Sequence, residues 1–384
     1  MTDLGENISL FKDGELERLG AELLVGNPSN ILLVTGRSSF SASGASSLLD
    51  KVLVGKNITR VHDFDTNPKL EDVSRILSEL EIKEKVDLII AVGGGSVMDV
   101  AKLLKAFWNS EDPVRAYLDG NEEISAKDIP LIAIPTTAGS GSEATHFAVV
   151  YDGSMKHSVA DPELLPTKVI LLPSLIKSNP SSIIGSSGMD ALCQGIESYW
   201  SIYSTEESRE YAQKAISLVS ENLKHTQNAE SDDVWTNLLL GSFYAGKAIN
   251  ITKTTAPHAI SYALTSFFGI SHGYAVSLLL PSIFEYNEKV VEDDCLDGRG
   301  CAWVRERLQE LEEMLGIYSG SIHAYFEDFH RVLGSEFDLK VYGVESERDI
   351  DTIVKNGFNP QRVNNNPRKL TEESLRDILN NLVK

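Results

Sequence analysis

Short apolar runs alternate with longer amphipathic stretches over roughly the first 175 residues of the chain. The apolar runs have the length of strands and end in glycine, proline or hydroxyl residues. They lie at residues 31–34, 60–64, 87–92, 131–134 and 169–172, and the helical stretches at 44–53, 69–80 and 97–108. This βαβα order predicts a parallel sheet covered by helices. A further stretch, 149–161, alternates with turn residues and predicts a hairpin.

The pattern changes after Pro173, where a second proline and a serine cluster follow and the apolar spacing becomes helical throughout. Helices are predicted at 189–203, 206–223, 234–250, 302–315, 321–333 and 372–383. The sequence therefore predicts an α/β domain at residues 1–178 and an all-helical domain at 179–384.

Charge and cysteine content narrow the classes of partner and compartment. The net charge of −21 over 384 residues disfavours nucleic acid and anionic membranes as partners. The most apolar stretch, 262–284, contains His272, Gly273 and Pro281 and is too interrupted for a membrane span. Three cysteines without paired spacing, and a polar start at residues 1–10 unlike a signal peptide, predict a cytoplasmic location.

The first chemical signature is a glycine turn between a predicted strand and a predicted helix. Gly94, Gly95 and Ser96 follow the run at 87–92 and open the next helix. Backbone N–H groups in such a turn approach phosphate oxygens closely, so the turn predicts a dinucleotide phosphate site. Asp99 lies one helical turn further on and is also a candidate for binding the cofactor. The alternative is that Asp99 is a solvated helix residue.

A second signature is a hydroxyl-rich segment after the run at 131–134. It carries Thr136, Thr137, Ser140 and Ser142. Ligands of parallel sheets bind beyond the carboxyl ends of the strands, so these hydroxyls are candidate cofactor contacts. A plain loop is the alternative.

The third signature combines residues from three segments. Asp190 and Gln194 are four residues apart and share one face of a helix. His258 and His272 come from later segments. A carboxylate and two imidazoles can hold one divalent metal with an open position, although a single histidine is more often structural.

Several stretches together resemble the iron-containing (group III) alcohol dehydrogenases. They are residues 93–102, 135–145, 188–192, 272–273 and 366–368. The resemblance covers nearly the whole chain. It implies a dinucleotide-binding N-terminal domain, an all-helical C-terminal domain of the dehydroquinate synthase-like type, bound Fe²⁺ or Zn²⁺, and a homodimer or larger homo-oligomer.

Two positions depart from the pattern of this family. Gln194 stands where the family has a histidine ligand, and Tyr262 where it often has a second histidine. In a related branch one carboxylate and two histidines suffice for zinc, so Gln194 is either a weak fourth ligand, a hydrogen-bond partner of a ligand or a substrate contact. Tyr262 or water is then the candidate proton donor.

The segment 250–262 resembles the hydroxyethylphosphonate dehydrogenase (phosphonoacetaldehyde reductase) branch. That resemblance implies reduction of a small aldehyde carrying a phosphonate. Lys253, beside the metal histidine, and Thr254 are candidates for binding the anion or assisting catalysis, and Arg362 is a third. A surface lysine is the alternative for Lys253.

The cofactor choice is predicted from the loop after the first strand. The NAD-preferring members of the family carry an aspartate where this chain has Gly36, and Arg37 and Ser38 follow. An acidic residue there would repel a 2′-phosphate, whereas arginine and serine would accept it. We therefore expect NADPH to be used, with NADH as the alternative.

The sequence thus predicts a metal-dependent, NAD(P)H-linked reductase of a small aldehyde. Three alternatives stay open: a general group III dehydrogenase of short-chain alcohols, an enzyme of the dehydroquinate-synthase type, and a non-catalytic binding protein that has lost its metal.

Overall fold

A six-stranded parallel sheet organises the first of two units into which the chain divides, Met1–Asn179 and Pro180–Lys384. The computed structural model describes residues 7–80, 85–108, 113–120, 124, 128–153, 155–229, 231–318 and 320–383. The predicted N-terminal segment 1–10 therefore lies outside the described residues over its first six positions.

The strand order across this sheet is β1-β8-β5-β4-β2-β3, and every neighbouring pair is parallel. The strands are β1 (Ile8–Leu10), β2 (Asn30–Thr35), β3 (Asn57–Val61), β4 (Leu88–Gly93), β5 (Leu131–Pro135) and β8 (Lys168–Leu171). The predicted hairpin is an antiparallel pair of its own, β6 (Phe147–Asp152) with β7 (Met155–Ala160).

Alternate side chains of β2 enter two separate apolar clusters, which is why this strand reads as a continuous apolar run. Leu32 and Val34 pack in one cluster, and Ile31 and Leu33 pack in the other. The helices of this unit are α1 (Leu16–Leu23), α2 (Ser39–Ala42), α3 (Ala45–Val52), α4 (Leu70–Glu79), α5 (Gly95–Ala106), α6 (Pro113–Leu118) and α7 (Ser174–Lys177).

Two details of the sheet differ from the sequence prediction. The strand predicted at 60–64 lies at Asn57–Val61, because this edge strand is largely exposed and carries little apolar signal. Phe64, which suggested the later position, is buried in the core beyond the strand end. The pattern also missed Ile8–Leu10, a strand of three residues.

The regular secondary structure of the second unit, in its described residues, is helical apart from one isolated bridge. Its helices are α8 (Ser181–Trp200), α9 (Glu206–Asn222), α10 (Asp232–Thr252), α11 (Ala256–Phe268), α12 (His272–Glu288), α13 (Cys301–Leu315), α14 (Ile322–Leu333), α15 (Glu347–Gly357), α16 (Pro360–Val363) and α17 (Glu372–Leu382). The architecture confirms the predicted fold class, a parallel α/β domain followed by an all-α domain.

The apolar stretch at 262–284 forms parts of two helices rather than one long segment. Gly269 caps α11 in the left-handed conformation, with φ of 69°, and α12 begins three residues later. Among the described residues, no helix combines the length and the apolarity needed to cross a bilayer.

Candidate functional site

Helix α8 carries three buried polar side chains on one face. Asp190, Gln194 and Glu197 follow one another at i, i+4 and i+7, and none is more than 7% exposed. The helix packs against α9, α10 and α12, so these groups cannot be satisfied by bulk water. A buried carboxylate needs a cation or donors of its own.

Two neighbouring helices supply the histidines. His258 lies in the first turn of α11, and His272 is the first residue of α12. Gly273 makes the second placement possible, because a Cβ atom there would lie 1.8 Å from the carbonyl oxygen of Ser186 on α8. The start of α12 is therefore pressed against α8, beside Asp190.

Asp190, His258 and His272 each turn one donor atom to a common point, with these atoms within 4.8 Å of one another. Asp190 Oδ1 lies 3.0 Å from His258 Nε2 and 3.9 Å from His272 Nε2. One carboxylate and two imidazoles at this spacing suit a divalent ion. The His272 side chain is 35% exposed, so one side of the group is open to a ligand.

Glu197 is a site residue that the sequence prediction missed. Its Oε1 bonds Nδ1 of His258, while its Oε2 accepts hydrogen bonds from the N–H (2.6 Å) and the hydroxyl (2.8 Å) of Thr255. A carboxylate on one ring nitrogen directs the other toward the metal position. The signal was present in the sequence, since Glu197 shares the helix face of Asp190.

The charges of this cluster stabilise one another. Burial lowers the pKa of His258, but Glu197 and Asp190 outweigh it and raise this pKa to about 10. Burial raises the pKa of Asp190, yet the two histidines bring it below its usual value. Gln194 also lowers the pKa of Asp190 by hydrogen bonding to the carboxylate. It is therefore a hydrogen-bond partner of Asp190.

A stack of planar groups extends from His272. The Tyr262 ring is parallel to the His272 ring, with centroids 5.5 Å apart and an interplanar angle of 2°. The guanidinium of Arg362 lies over the Tyr262 ring, 5.2 Å from its centroid. Two of the sequence candidates thus lie next to the metal-ligand group.

The other two candidates occupy the turn between α10 and α11. Lys253 is an exposed residue at φ 59° and ψ 179°, an unusual backbone conformation for a side chain other than glycine. Its ammonium makes no hydrogen bond or ion pair with any described residue. The Thr254 carbonyl accepts a hydrogen bond of 2.9 Å from the amide of Asn365.

In the first unit, the glycine turn packs against the hydroxyl-rich loop. A Cβ atom on Gly94 would lie 3.1 Å from Thr137 Oγ1, and one on Gly95 would lie 2.9 Å from Ser140 Oγ. The first turn of α5 leaves backbone N–H groups without partners inside the helix. This turn therefore fits the pyrophosphate cradle, although the Ser96 hydroxyl itself donates to the carbonyl of Thr66.

Asp99 and Ser142 belong to an internal network around Lys102, so Asp99 is bonded inside the unit rather than being a solvated helix residue. Lys102 is fully buried, and its ammonium donates to the Ser142 carbonyl (2.5 Å), the Thr145 hydroxyl (3.0 Å) and the Phe147 carbonyl (2.9 Å). The Ser142 hydroxyl donates to Asp99 at 2.8 Å. Burial lowers the pKa of Lys102 to about 8.

Thr136 is the first residue of the hydroxyl-rich loop, and both its backbone N–H and its backbone carbonyl are hydrogen-bonded. Its N–H donates to the Gly93 carbonyl, and its carbonyl accepts from the side chain of Asn179 at 2.6 Å. The hydroxyl-rich segment is thus an ordered loop rather than a plain flexible one.

The loop after β2 is surrounded by charged groups. Gly36 and Ser38 lie on it with Arg37, whose guanidinium pairs with Asp63 at 2.5 Å. Arg60, from the neighbouring strand, donates to the carbonyls of Gly36 and Arg37. Arg37 and Arg60 therefore place two guanidinium groups at this loop.

Comparison with known sequences identifies both units. Residues 7–173 match the family described as iron-containing alcohol dehydrogenase, and residues 184–383 match the C-terminal domain of the Fe-containing alcohol dehydrogenase family. The chain belongs to the iron-containing alcohol dehydrogenase family. It is therefore an oxidoreductase of the alcohol dehydrogenase and aldehyde reductase type.

Individual relatives of this alcohol dehydrogenase span most of its length. It is 34% identical over 335 residues to the phosphonoacetaldehyde reductase of Streptomyces viridochromogenes, covering 83% of this chain and 81% of that protein. It is 27% identical over 310 residues to the NAD-dependent methanol dehydrogenase of Bacillus methanolicus, covering 78% of each.

A solved structure shares the fold of the whole chain. The sulfoacetaldehyde reductase of Bifidobacterium kashiwanohense in complex with NAD⁺ superposes with a TM-score of 0.83 and 28% identity, covering 98% of this chain and 97% of that one.

The geometry around Glu197 predicts its role in metal binding. Because Glu197 orients His258, Glu197→Gln is expected to weaken divalent-metal affinity by about 10- to 100-fold. His272→Ala, which removes a proposed ligand, is expected to abolish stoichiometric binding and activity together. Metal affinity is measured by competition with a chromogenic chelator.

Glu310→Gln is the matched control, because Glu310 also accepts a hydrogen bond in this unit, from the Tyr199 hydroxyl at 2.5 Å, but lies outside the metal-ligand group. Wild-type metal affinity in Glu197→Gln would show that His258 is oriented without this carboxylate. Full activity in His272→Ala protein shown to be metal-free would reject the metal site.

The contact between Gly95 and Ser140 predicts a defect confined to cofactor binding. A valine at position 95 would fill the cradle and displace the loop, so Gly95→Val should raise the cofactor KM at least about tenfold. Metal content should stay at the wild-type level. Gly320→Val is the control, since a Cβ atom there meets nothing within 4 Å. An unchanged cofactor KM in Gly95→Val would remove the turn from the cofactor site.

Proposed function

We propose that this alcohol dehydrogenase is a metal-dependent, NAD(P)H-linked reductase that converts phosphonoacetaldehyde to 2-hydroxyethylphosphonate. The observation that carries the proposal is the position of Arg362, a cation stacked through Tyr262 onto the metal-ligand group. A small aldehyde with an anionic group needs both a carbonyl-activating centre and a nearby cation.

The named activities of two relatives support the same substrate class. One acts on phosphonoacetaldehyde and the other on sulfoacetaldehyde. Both compounds are two-carbon aldehydes with a tetrahedral oxyanion on the second carbon. The common feature is therefore the anion beside the aldehyde, and phosphonate is favoured by the higher identity, 34% against 28%.

The ion would be held by Asp190, His258 and His272. His272 is the most accessible of these three residues. When bound there, a divalent ion supplies Lewis-acid polarisation of the aldehyde oxygen, and a reduced nicotinamide supplies the hydride. The open side at His272 is where the aldehyde would enter.

Two further residues prepare the site for the reaction. Glu197 keeps His258 in one orientation through its hydrogen bond to Nδ1. Tyr262, whose ring stacks on His272, is the candidate to protonate the product oxygen. Burial raises the pKa of Tyr262, so its hydroxyl carries its proton at neutral pH. Water entering beside His272 is the alternative donor.

We also propose that NADPH is the preferred cofactor, on the basis of the charges around Gly36. The sulfoacetaldehyde reductase was solved in complex with NAD⁺, which supports a nicotinamide dinucleotide as the cofactor. Arg37, which is 61% exposed, and Arg60 flank the position where an acidic residue would read the ribose. A cytoplasmic homodimer completes the proposal and agrees with the acidic charge and the unpaired cysteines.

The cofactor assignment predicts a selective effect of Arg37. Arg37→Ala should lower kcat/KM for NADPH by about tenfold more than for NADH, because one charge-assisted contact to the 2′-phosphate is lost. Arg115→Ala serves as the control, since Arg115 is another surface arginine of this unit with an aspartate partner. A wild-type kcat/KM for NADH tenfold above that for NADPH would exclude the preference.

The substrate assignment predicts a preference among small aldehydes. With Fe²⁺ or Zn²⁺ added, wild-type kcat/KM for phosphonoacetaldehyde should exceed that for propanal by at least about tenfold, the worth of one charge-assisted contact. Steady-state assays with NADH and NADPH measure the ratio. A preference for propanal or methanol oxidation would reassign the protein as a general short-chain alcohol dehydrogenase.

A further inference from the structure

Arg362, like Arg209, has no carboxylate partner among the described residues, but only Arg362 of these two lies over a ring that stacks on a residue of the metal-ligand group. Arg299, Arg307 and Arg368, in the same unit, each have a carboxylate partner. Arg362 is half-buried, and its guanidinium makes no hydrogen bond or ion pair with any described residue. Carboxylates are plentiful in a chain of net charge −21, yet none of them pairs with this guanidinium. Its five N–H donors are therefore available for a ligand outside the chain.

The ring of Tyr262 is what places this guanidinium. Its contact with Arg362 is a cation–π interaction at 5.2 Å from the ring centroid, and the same ring stacks parallel on His272. A flat guanidinium lying on a ring keeps its edge N–H groups free to bind an oxyanion. The contact thus holds Arg362 without using the donors.

The residues that follow Arg362 are tied to the segment that precedes His258. Asn365, three residues on, donates its side-chain amide to the Thr254 carbonyl and accepts from the Ile202 N–H with its own carbonyl. Asn366 is fully buried and exchanges two hydrogen bonds with Asn287, of 2.7 and 3.1 Å. The segment just after α16 is therefore fixed to the turn leading into α11 and to α12.

We propose that Arg362 forms the anion subsite of the active site, and that Tyr262 is the positioning residue that holds its guanidinium beside the metal-ligand group. The ligand class is a tetrahedral oxyanion, phosphonate or sulfonate, on the carbon next to the aldehyde. This inference rests on the proposed function and assigns its anion specificity to one pair of side chains. Lys253, which is exposed to solvent, contributes less.

The test compares kcat/KM for phosphonoacetaldehyde, sulfoacetaldehyde and propanal. Arg362→Met should lose about 100-fold more on the two anionic substrates than on propanal, mainly through KM, because a bidentate charge-assisted contact is removed. Arg362→Lys should recover only part of this loss. Lys253→Met should lose less than Arg362→Met on the anionic substrates.

Tyr262 is tested by two substitutions. Tyr262→Leu should raise the KM of the anionic substrates about tenfold, because the cation–π contact is lost. Tyr262→Phe keeps the ring and should restore that KM, whereas a lost proton donor would lower kcat on all aldehydes alike. An equal KM defect in the Phe and Leu variants would overturn the positioning role.

Binding without turnover gives an independent readout. Ethylphosphonate and ethanesulfonate are titrated calorimetrically into wild-type, Arg362→Met and Arg209→Met proteins. Arg209 is the matched control, since its guanidinium lies 5.1 Å from the Trp303 ring centroid in the same unit. Only Arg362→Met should lose affinity, and stronger binding of one probe distinguishes phosphonate from sulfonate as the ligand.

The outcomes separate this inference from the function on which it rests. A wild-type enzyme that prefers propanal would reject the proposed function. A wild-type enzyme that prefers an anionic aldehyde, with Arg362→Met losing equally on anionic and neutral substrates, would keep the function and reject the subsite.

Discussion

The second unit depends on one buried carboxylate. Glu197 is inaccessible to solvent and bonds at once to His258 and to the N–H and hydroxyl of Thr255. The same side chain therefore orients a metal-ligating ring and fixes the start of the helix that carries it. An unpaired carboxylate at this depth would cost several kcal/mol, so the helices cannot drift apart without leaving it unsatisfied.

In the first unit a buried cation, the ammonium of Lys102, connects neighbouring segments as Glu197 does in the second unit. Lys102 reaches from α5 to the carbonyls and hydroxyls of the loop after β5, and Asp99 accepts from the same loop. The glycine turn opens that same helix, so the turn and the hydroxyl loop are held together by one residue. The bonded ammonium explains in part why this hydroxyl-rich segment keeps a defined conformation.

The chain is strongly acidic overall, so the few places where arginines are available to bind an anion are informative. An acidic protein repels anions over distances of about a Debye length, roughly 8 Å at physiological salt, so anion binding needs cations placed at the site itself. Arg362 on Tyr262 and the arginine pair around Gly36 are two such places. Each is held by neighbouring groups that leave donor capacity for a ligand.

The sequence by itself determined most of the elements and the local chemistry: the four inner strands of the parallel sheet, the glycine turn, and the helix face shared by Asp190 and Gln194. The periodicity of apolar residues indicates which positions are buried, and a spacing of three or four residues indicates a shared helix face. Both patterns can be recognised from neighbouring residues alone. Only the tertiary structure decided that Glu197 and Lys102 are buried and paired and that Arg362 lies over Tyr262. Charged side chains look solvated in a sequence, because their partners, 40 to 100 residues away, are set by packing between helices.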